Sequence, residues 1–311
     1  MQKRAELDRV RPTALSRRDC KVWAAHFAKV CKRGTSFRSF YESLPAILAG
    51  QDFRSIVTAV VAAARRRRMV LLMMGAHVIK CGLSPLIIDL MKRGIVKAVA
   101  MNGAGVVHDT EIAMIGRTSE DVAEGIADGS FGMARETAQF INVAVAQGYA
   151  AGEGFGEAVG REIVEEKLRH RELSILAAGH TLAIPVTVHV AIGTDIVHQH
   201  PTADGEAIGG ASFLDFRSLI HSVSRLDGGV VLNVGSAVVL PEVFLKALTV
   251  ARNLGFRASR FTAVDFDMIR QYRPRENVVT RPTSAGGRGY QIVGHHELMI
   301  PLMHRAIVER I

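Results

Sequence analysis

The run Met69-Val-Leu-Leu-Met-Met74 constrains this chain most. It has no polar face, so as a strand it must be covered on both sides, the situation of a parallel sheet between layers of helices. A second such strand starts at Ile95 and a third is Gly229-Val-Val-Leu-Asn-Val234. Helix-length segments separate them. Residues 57–68 read as a helix of alanine and valine with a basic end. Ser84-Pro85 opens a helix to about residue 93, with proline in the first turn. Further helices are expected over 133–146, 157–171, 213–226, 240–254 and 298–311. Short strands are expected over 174–178, 186–192 and 261–265, and a long loop over 270–289.

Strands alternating with helices predict an α/β fold: an open, mostly parallel sheet with helices on both faces. The simplest division is a helical N-terminal extension, residues 1–56, on one α/β domain, residues 57–311. Trp23, Phe27, Phe37, Phe40 and Tyr41 are the candidate packing anchors of the extension. With 311 residues, 48% hydrophobic, the chain can build one large core. No apolar run reaches membrane-spanning length. The charged start lacks the apolar stretch of a signal peptide. Three scattered cysteines, Cys20, Cys31 and Cys81, make no disulfide framework, which fits a reducing, cytoplasmic setting.

The formal net charge is +9, with four arginines in a row at 65–68. Aromatic content is only 6% and no nucleic-acid motif is present, so these arginines read better as the cationic end of a helix than as a nucleic-acid surface.

Chemistry-bearing residues collect where strands end. Gly75-Ala76-His77, Asn102-Gly103-Ala104-Gly105, Gly235-Ser-Ala237 and Thr262-Ala263 form a small-residue rim where open α/β sheets bind ligands. Backbone amides there can approach a phosphorylated ligand closely. The pattern is neither a G-x-G-x-x-G fingerprint nor a P-loop. His108 follows the second of these turns and is a candidate acid or base. Its alternative role is a hydrogen bond to Asp109. His198 and His200 would share one face of an extended segment and, with Asp195 or His189, could ligate zinc or another transition metal.

The order and spacing of six motifs over roughly residues 70–305 resemble the deoxyhypusine synthase family. Gly75-Ala-His-Val-Ile-Lys-Cys-Gly82 falls where that family has T-S-N-L-I-S-S-G. Asn102-Gly-Ala-Gly-Val-Val-His-Asp109 is similar to its T-A-G-G-V-E-E-D, and Ile184-Pro-Val with Thr194-Asp195 to its I-P-V and T-D-G. The stretch 229–239 resembles its strand and G-G-G-V-V turn, and Thr262-Ala-Val-Asp-Phe-Asp267 its T-A-Q-E-F-D. Arg273-Pro274 and Ile300-Pro-Leu302 keep its closing spacing.

The resemblance implies a Rossmann-like fold binding NAD, a homotetramer, and transfer of the aminobutyl group of spermidine through a lysine imine. It places Gly75, Ala76, His77, Asn102, Gly103, Ala104, Thr262, Ala263 and Asp267 at the cofactor, and His108 and Asp195 at the substrate. The chain departs from the family at the reacting positions. The lysine motif falls on Val279-Thr-Arg-Pro282, and no lysine follows Lys246. The family's glutamates become Val107 and His108. Aminobutyl transfer is therefore not expected, and the new cations favour a neutral or anionic small-molecule substrate. The expectation is an NAD-binding transferase or oxidoreductase. The alternatives are a non-catalytic nucleotide-binding or scaffold protein, and a metal-dependent enzyme built on His198, His200 and Asp195.

Overall fold

The computed structural model describes residues 3–311. Contacts divide the chain into two compact units, one ending at Gln51 and one starting at Asp52. The first unit has little regular helix. Three 3-10 turns, Leu7–Arg9, Leu15–Arg17 and Ala24–His26, bury no side chain, and one short helix, α1 (Phe37–Ser43), buries Tyr41. Trp23 and Phe27 are each 63% exposed, so neither is the anchor that the sequence suggested.

The second unit carries six strands: β1 (Val70–Met74), β2 (Ala98–Asn102), β3 (Val186–His189), β4 (Val230–Val234), β5 (Thr262–Asp267) and β6 (Arg288–Val293). They form one all-parallel sheet in the order β3-β2-β1-β4-β5-β6. This is the doubly wound order, with its topological switch between β1 and β4. Every residue of β1 and β4 is buried, which is why their sequences show no alternation.

Helices fill the connections. They are α2 (Leu48–Arg65), α3 (His77–Lys80), α4 (Ser84–Lys92), α5 (Gly103–Ile115), α6 (Val122–Asp128), α7 (Arg135–Ala150), α8 (Phe155–Glu165) and α9 (Ile175–Leu182). After β3 come α10 (Gly205–Ser224), α11 (Val239–Asn253), α12 (Tyr272–Pro274), α13 (Arg281–Thr283) and α14 (His296–Val308). On one face of the sheet Leu71, Met73, Ala100, Val231 and Ala263 pack with Leu219 and Val223 of α10 and Phe244 and Leu248 of α11. Phe244 is fully buried, a side chain whose burial contributes about 1.5–3 kcal/mol. Among the described residues no helix is long and apolar enough to cross a membrane.

Three segments differ from their sequence reading. Residues 174–178 open helix α9 rather than a strand: Ser174 caps it, and the buried Asp109 accepts from the Ile175 and Leu176 amides at 2.8 and 3.2 Å and from the Ser174 hydroxyl. The 270–289 stretch holds α12, a π-helical turn Arg275–Thr280 and α13, and its end starts β6. β6 is an exposed edge strand, so it lacks the apolar run that marks β1. Helix α10 starts at Gly205 behind an Asp204 cap, earlier than its glycines suggest.

A second buried carboxylate ties these layers together. Asp215 of α10 accepts from Gly156 N of α8 at 2.9 Å and from Val188 N of β3 at 2.7 Å. Burial pushes its pKa up to about 7, against the pull of those two amides.

Candidate functional site

Asn102 ends β2 and caps α5, its Oδ1 accepting from Gly105 N at 3.2 Å. The small-residue turn is thus a strand running straight into a helix N-terminus. Asp195 lies over that terminus. A Cβ added to Gly103 would stand 2.0 Å from Asp195 Oδ2, so only glycine admits the carboxylate here. Asp195 is 8% exposed and its Oδ2 has no hydrogen-bond partner. Burial raises its pKa to about 6, while the Ala104 amide draws it down.

His198 sits behind Asp195. Its Nδ1 accepts from Gly193 N at 3.1 Å and Asp195 N at 3.3 Å, so the ring proton belongs on Nε2. That Nε2 lies 3.8 Å from Asp195 Oδ2. Residues 196–199 form a 3-10 turn rather than an extended segment, and His200 Nε2 pairs with the Gly132 carbonyl at 2.8 Å. The two histidines therefore do not share a face toward Asp195. Among the described residues no three His, Cys, Asp or Glu side chains are placed to hold a metal ion.

Asp195 and His108 line one cavity of about 610 Å³ at the carboxyl edge of the sheet, with Lys80, Glu111, Arg117 and Glu136. This volume lies in the range of small-molecule sites. His108 makes no bond to Asp109, which faces α9. Instead His108 Nδ1 pairs with Thr118 Oγ1 at 2.6 Å, and Thr118 donates to Glu111. The second carboxylate oxygen of Glu111 takes a bond from Thr137 Oγ1 at 3.1 Å. Burial lowers the His108 pKa, Glu111 pulls it up and Lys80 pushes it down. His108 is thus neutral near pH 7, while Asp195 titrates just below. The wall carries both signs of charge.

Sequence reasoning placed His108 and Asp195 at one substrate site and missed Lys80, Glu111, Arg117 and Glu136. Glu111 had a signal: it lies three residues after His108 on one helix face. Lys80 had a weaker one, inside the first strand-end motif. Arg117 and Glu136 reach the cavity only through folding of the segments after α5.

The other predicted positions fall in two places. Gly75, Ala76 and His77 follow β1 beside Gly235, and Asp267 ends β5, all at the carboxyl edge. There Gly75 N donates to Val234 O at 3.0 Å, and a Cβ on Gly75 would meet Gly235 O at 2.2 Å. Gly235 has φ +65° and packs on His296, whose ring centroid is 5.9 Å from that of His77. Thr262 and Ala263, in contrast, open β5 at the amino edge, and Ala263 is fully buried in the core. The structure does not bring them to the other cofactor positions, because the motif that resembles a strand-end turn lies inside a strand.

The pyrophosphate of NAD needs free amides at a helix N-terminus. At Gly103 and Ala104 those amides are covered by Asp195. At the β4–α11 turn the Gly235 amide is held by the Phe266 carbonyl at 2.9 Å and the Leu240 amide by Ser236 Oγ at 3.3 Å, and Pro241 has no N–H, so the amides left for a ligand are those of residues 236–239. If the group is bound, residues 235–238, with Gly75–His77 alongside, would hold it.

No family model matches this chain, and no curated protein matches it in sequence. Solved structures do match in fold. One is a conserved protein of Methanococcus maripaludis S2 assigned as LOR/SDH, at TM-score 0.52 and 15% identity over 84% of this chain and 70% of that one. Another is AgrE in ternary complex with ornithine and NAD+, at TM-score 0.53 and 14% identity over 83% of this chain. The chain spans only 33% of AgrE. A protein assigned as a deoxyhypusine synthase of Entamoeba histolytica matches at TM-score 0.50 and 10% identity over 89% of this chain and 94% of that one. What the chain shares with them is the fold: an open parallel α/β sheet of Rossmann type.

Proposed function

We propose that this chain is an NAD-dependent enzyme of the deoxyhypusine-synthase-like group, acting on a small molecule that carries both an amine and a carboxylate. One observation carries the reading. His108 and Asp195 line one cavity, and burial lowers the pKa of the first and raises that of the second. Titratable groups perturbed by burial and gathered in one cleft mark candidate functional sites. Lys80 and Arg117 suit a carboxylate, and Glu111, Glu136 and Asp195 suit an ammonium. A zwitterion of zero net charge answers both, which sharpens the neutral or anionic substrate inferred from sequence. The fold shared with AgrE, solved with ornithine and NAD+, fits an amino-acid ligand beside NAD.

NAD, when bound, supplies hydride acceptance. Its pyrophosphate would rest on residues 235–238, and Asp267, on the neighbouring strand, offers a carboxylate for ribose hydroxyls. The chain's own groups then hold the substrate and move its proton. Ionised Asp195 pairs with the substrate amine, and neutral His108, held through Thr118 by Glu111, accepts a proton.

The test is a panel of amino acids incubated with NAD, read by nicotinamide reduction. At least one should be turned over, with kcat/KM rising as pH climbs through about 6, where Asp195 ionises. The substitution His108→Gln should lower kcat by about 10²–10⁴-fold. Binding of NAD without reduction by any member would refute the assigned substrate class.

A further inference from the structure

At the amino edge of the sheet, cationic side chains converge without carboxylate partners. Arg67 and Arg68 lead into β1, Lys97 into β2, and Arg225 follows α10 just ahead of β4. Lys97 N donates to Val70 O at 3.0 Å, which sets these segments side by side. Arg67, Arg68 and Arg225 line a cleft of about 270 Å³ with Met69, Ser224 and Asp227. The cleft's carboxylate is already engaged: Asp227 takes the Arg260 guanidinium at 3.1 Å and the Arg260 amide at 3.0 Å. Among the described residues Arg67, Arg68, Lys97 and Arg225 take part in no ion pair. Burial lowers the Lys97 pKa, and the charges of Arg225 and Arg67 lower it further, so the cations sense one another.

Helix ends do not account for this charge. Helices α2 and α10 finish here, and each C-terminus presents about half a negative charge. Four cations therefore leave about three positive charges uncompensated. Arg67 also holds φ +55°, a left-handed backbone conformation that glycine adopts freely and arginine does not. It is the left-handed residue that closes α2, with Arg67 N donating to Ala64 O at 2.9 Å and Arg68 N to Ala63 O at 2.8 Å.

We infer that this cleft binds the phosphate or pyrophosphate group of a small anionic ligand, at a site separate from the His108 cavity. Five-residue strands put about 15 Å between the two edges of the sheet, so this cleft and the His108 cavity are separate sites. A cleft of about 270 Å³ admits a phosphorylated head group.

The experiment is thermal unfolding of the full chain against inorganic pyrophosphate, with sodium chloride matched for ionic strength. The wild type should show a saturable upward shift. Arg225→Gln should weaken its midpoint about tenfold or more, as expected for losing a charge-assisted contact. Arg67→Gly should do the same while unfolding no earlier without ligand, because glycine fits the left-handed backbone. Unchanged midpoints in both variants would overturn the inference. So would a wild-type shift reproduced by sodium chloride alone. Displacement of pyrophosphate by a duplex oligonucleotide at comparable concentration would overturn it in favour of a nucleic-acid surface.

Discussion

The Asp195 carboxylate occupies the space where a side chain of Gly103 would stand, 2.0 Å from the missing Cβ. A helix start that could have received a ligand's phosphate instead receives a residue of the chain itself, 92 positions later. The same device recurs at two other helices. Asp109 fills the start of α9 and Asp215 the start of α8. In each case an internal carboxylate answers exposed amides and the positive end of the helix dipole.

Gly103→Ala should therefore destabilise the protein, although alanine is ordinarily the better helix residue by about 1 kcal/mol. The added methyl must displace Asp195, a form of overpacking that costs about 1–3 kcal/mol. Chemical denaturation of the variant should show this loss. Combining it with Asp195→Gly, which removes the obstructing carboxylate, should recover part of it. A single variant as stable as the wild type would show that Asp195 yields freely.

The raised carboxylates give the fold a defined pH dependence. Asp215, at about 7, binds a proton in the folded state over a range where the unfolded chain, titrating near 4, does not. Between about pH 4 and 7 the folded state thus holds more protons, and stability falls as pH rises. Asp109, Asp195 and Asp265, each near 6, act in the same direction. Asp215→Asn keeps one acceptor for the Gly156 and Val188 amides and removes the titration. Urea unfolding across this range should show a shallower slope in the variant than in the wild type. Identical slopes would mean that Asp215 is ionised throughout.

These carboxylates also mark what the sequence could reveal and what it could not. The buried strands were legible because an unbroken apolar run such as 69–74 has one sheet environment available to it. Helix α9 was not, because the group that fixes its start, Asp109, lies 65 positions from Ser174. Edge strand β6 was not, since an exposed strand needs no apolar pattern. In the site, His108 and Asp195 were legible from motif order. The glycines were legible as close approaches, but what approaches them was not: Asp195 at Gly103, the Gly235 carbonyl at Gly75, and His296 at Gly235. The metal reading of His198 and His200 failed for a local reason. A 3-10 turn aims the two rings at different partners, and backbone amides take the Nδ1 of His198.

The central claim is that the carboxyl edge of this sheet holds NAD beside the His108–Asp195 cavity. The most direct test is the thermal unfolding of the wild-type chain with and without NAD. At a hundredfold excess over the dissociation constant, the cofactor should add about 2.7 kcal/mol of stability, seen as a clear rise in Tm. An unchanged Tm at millimolar NAD would contradict the claim.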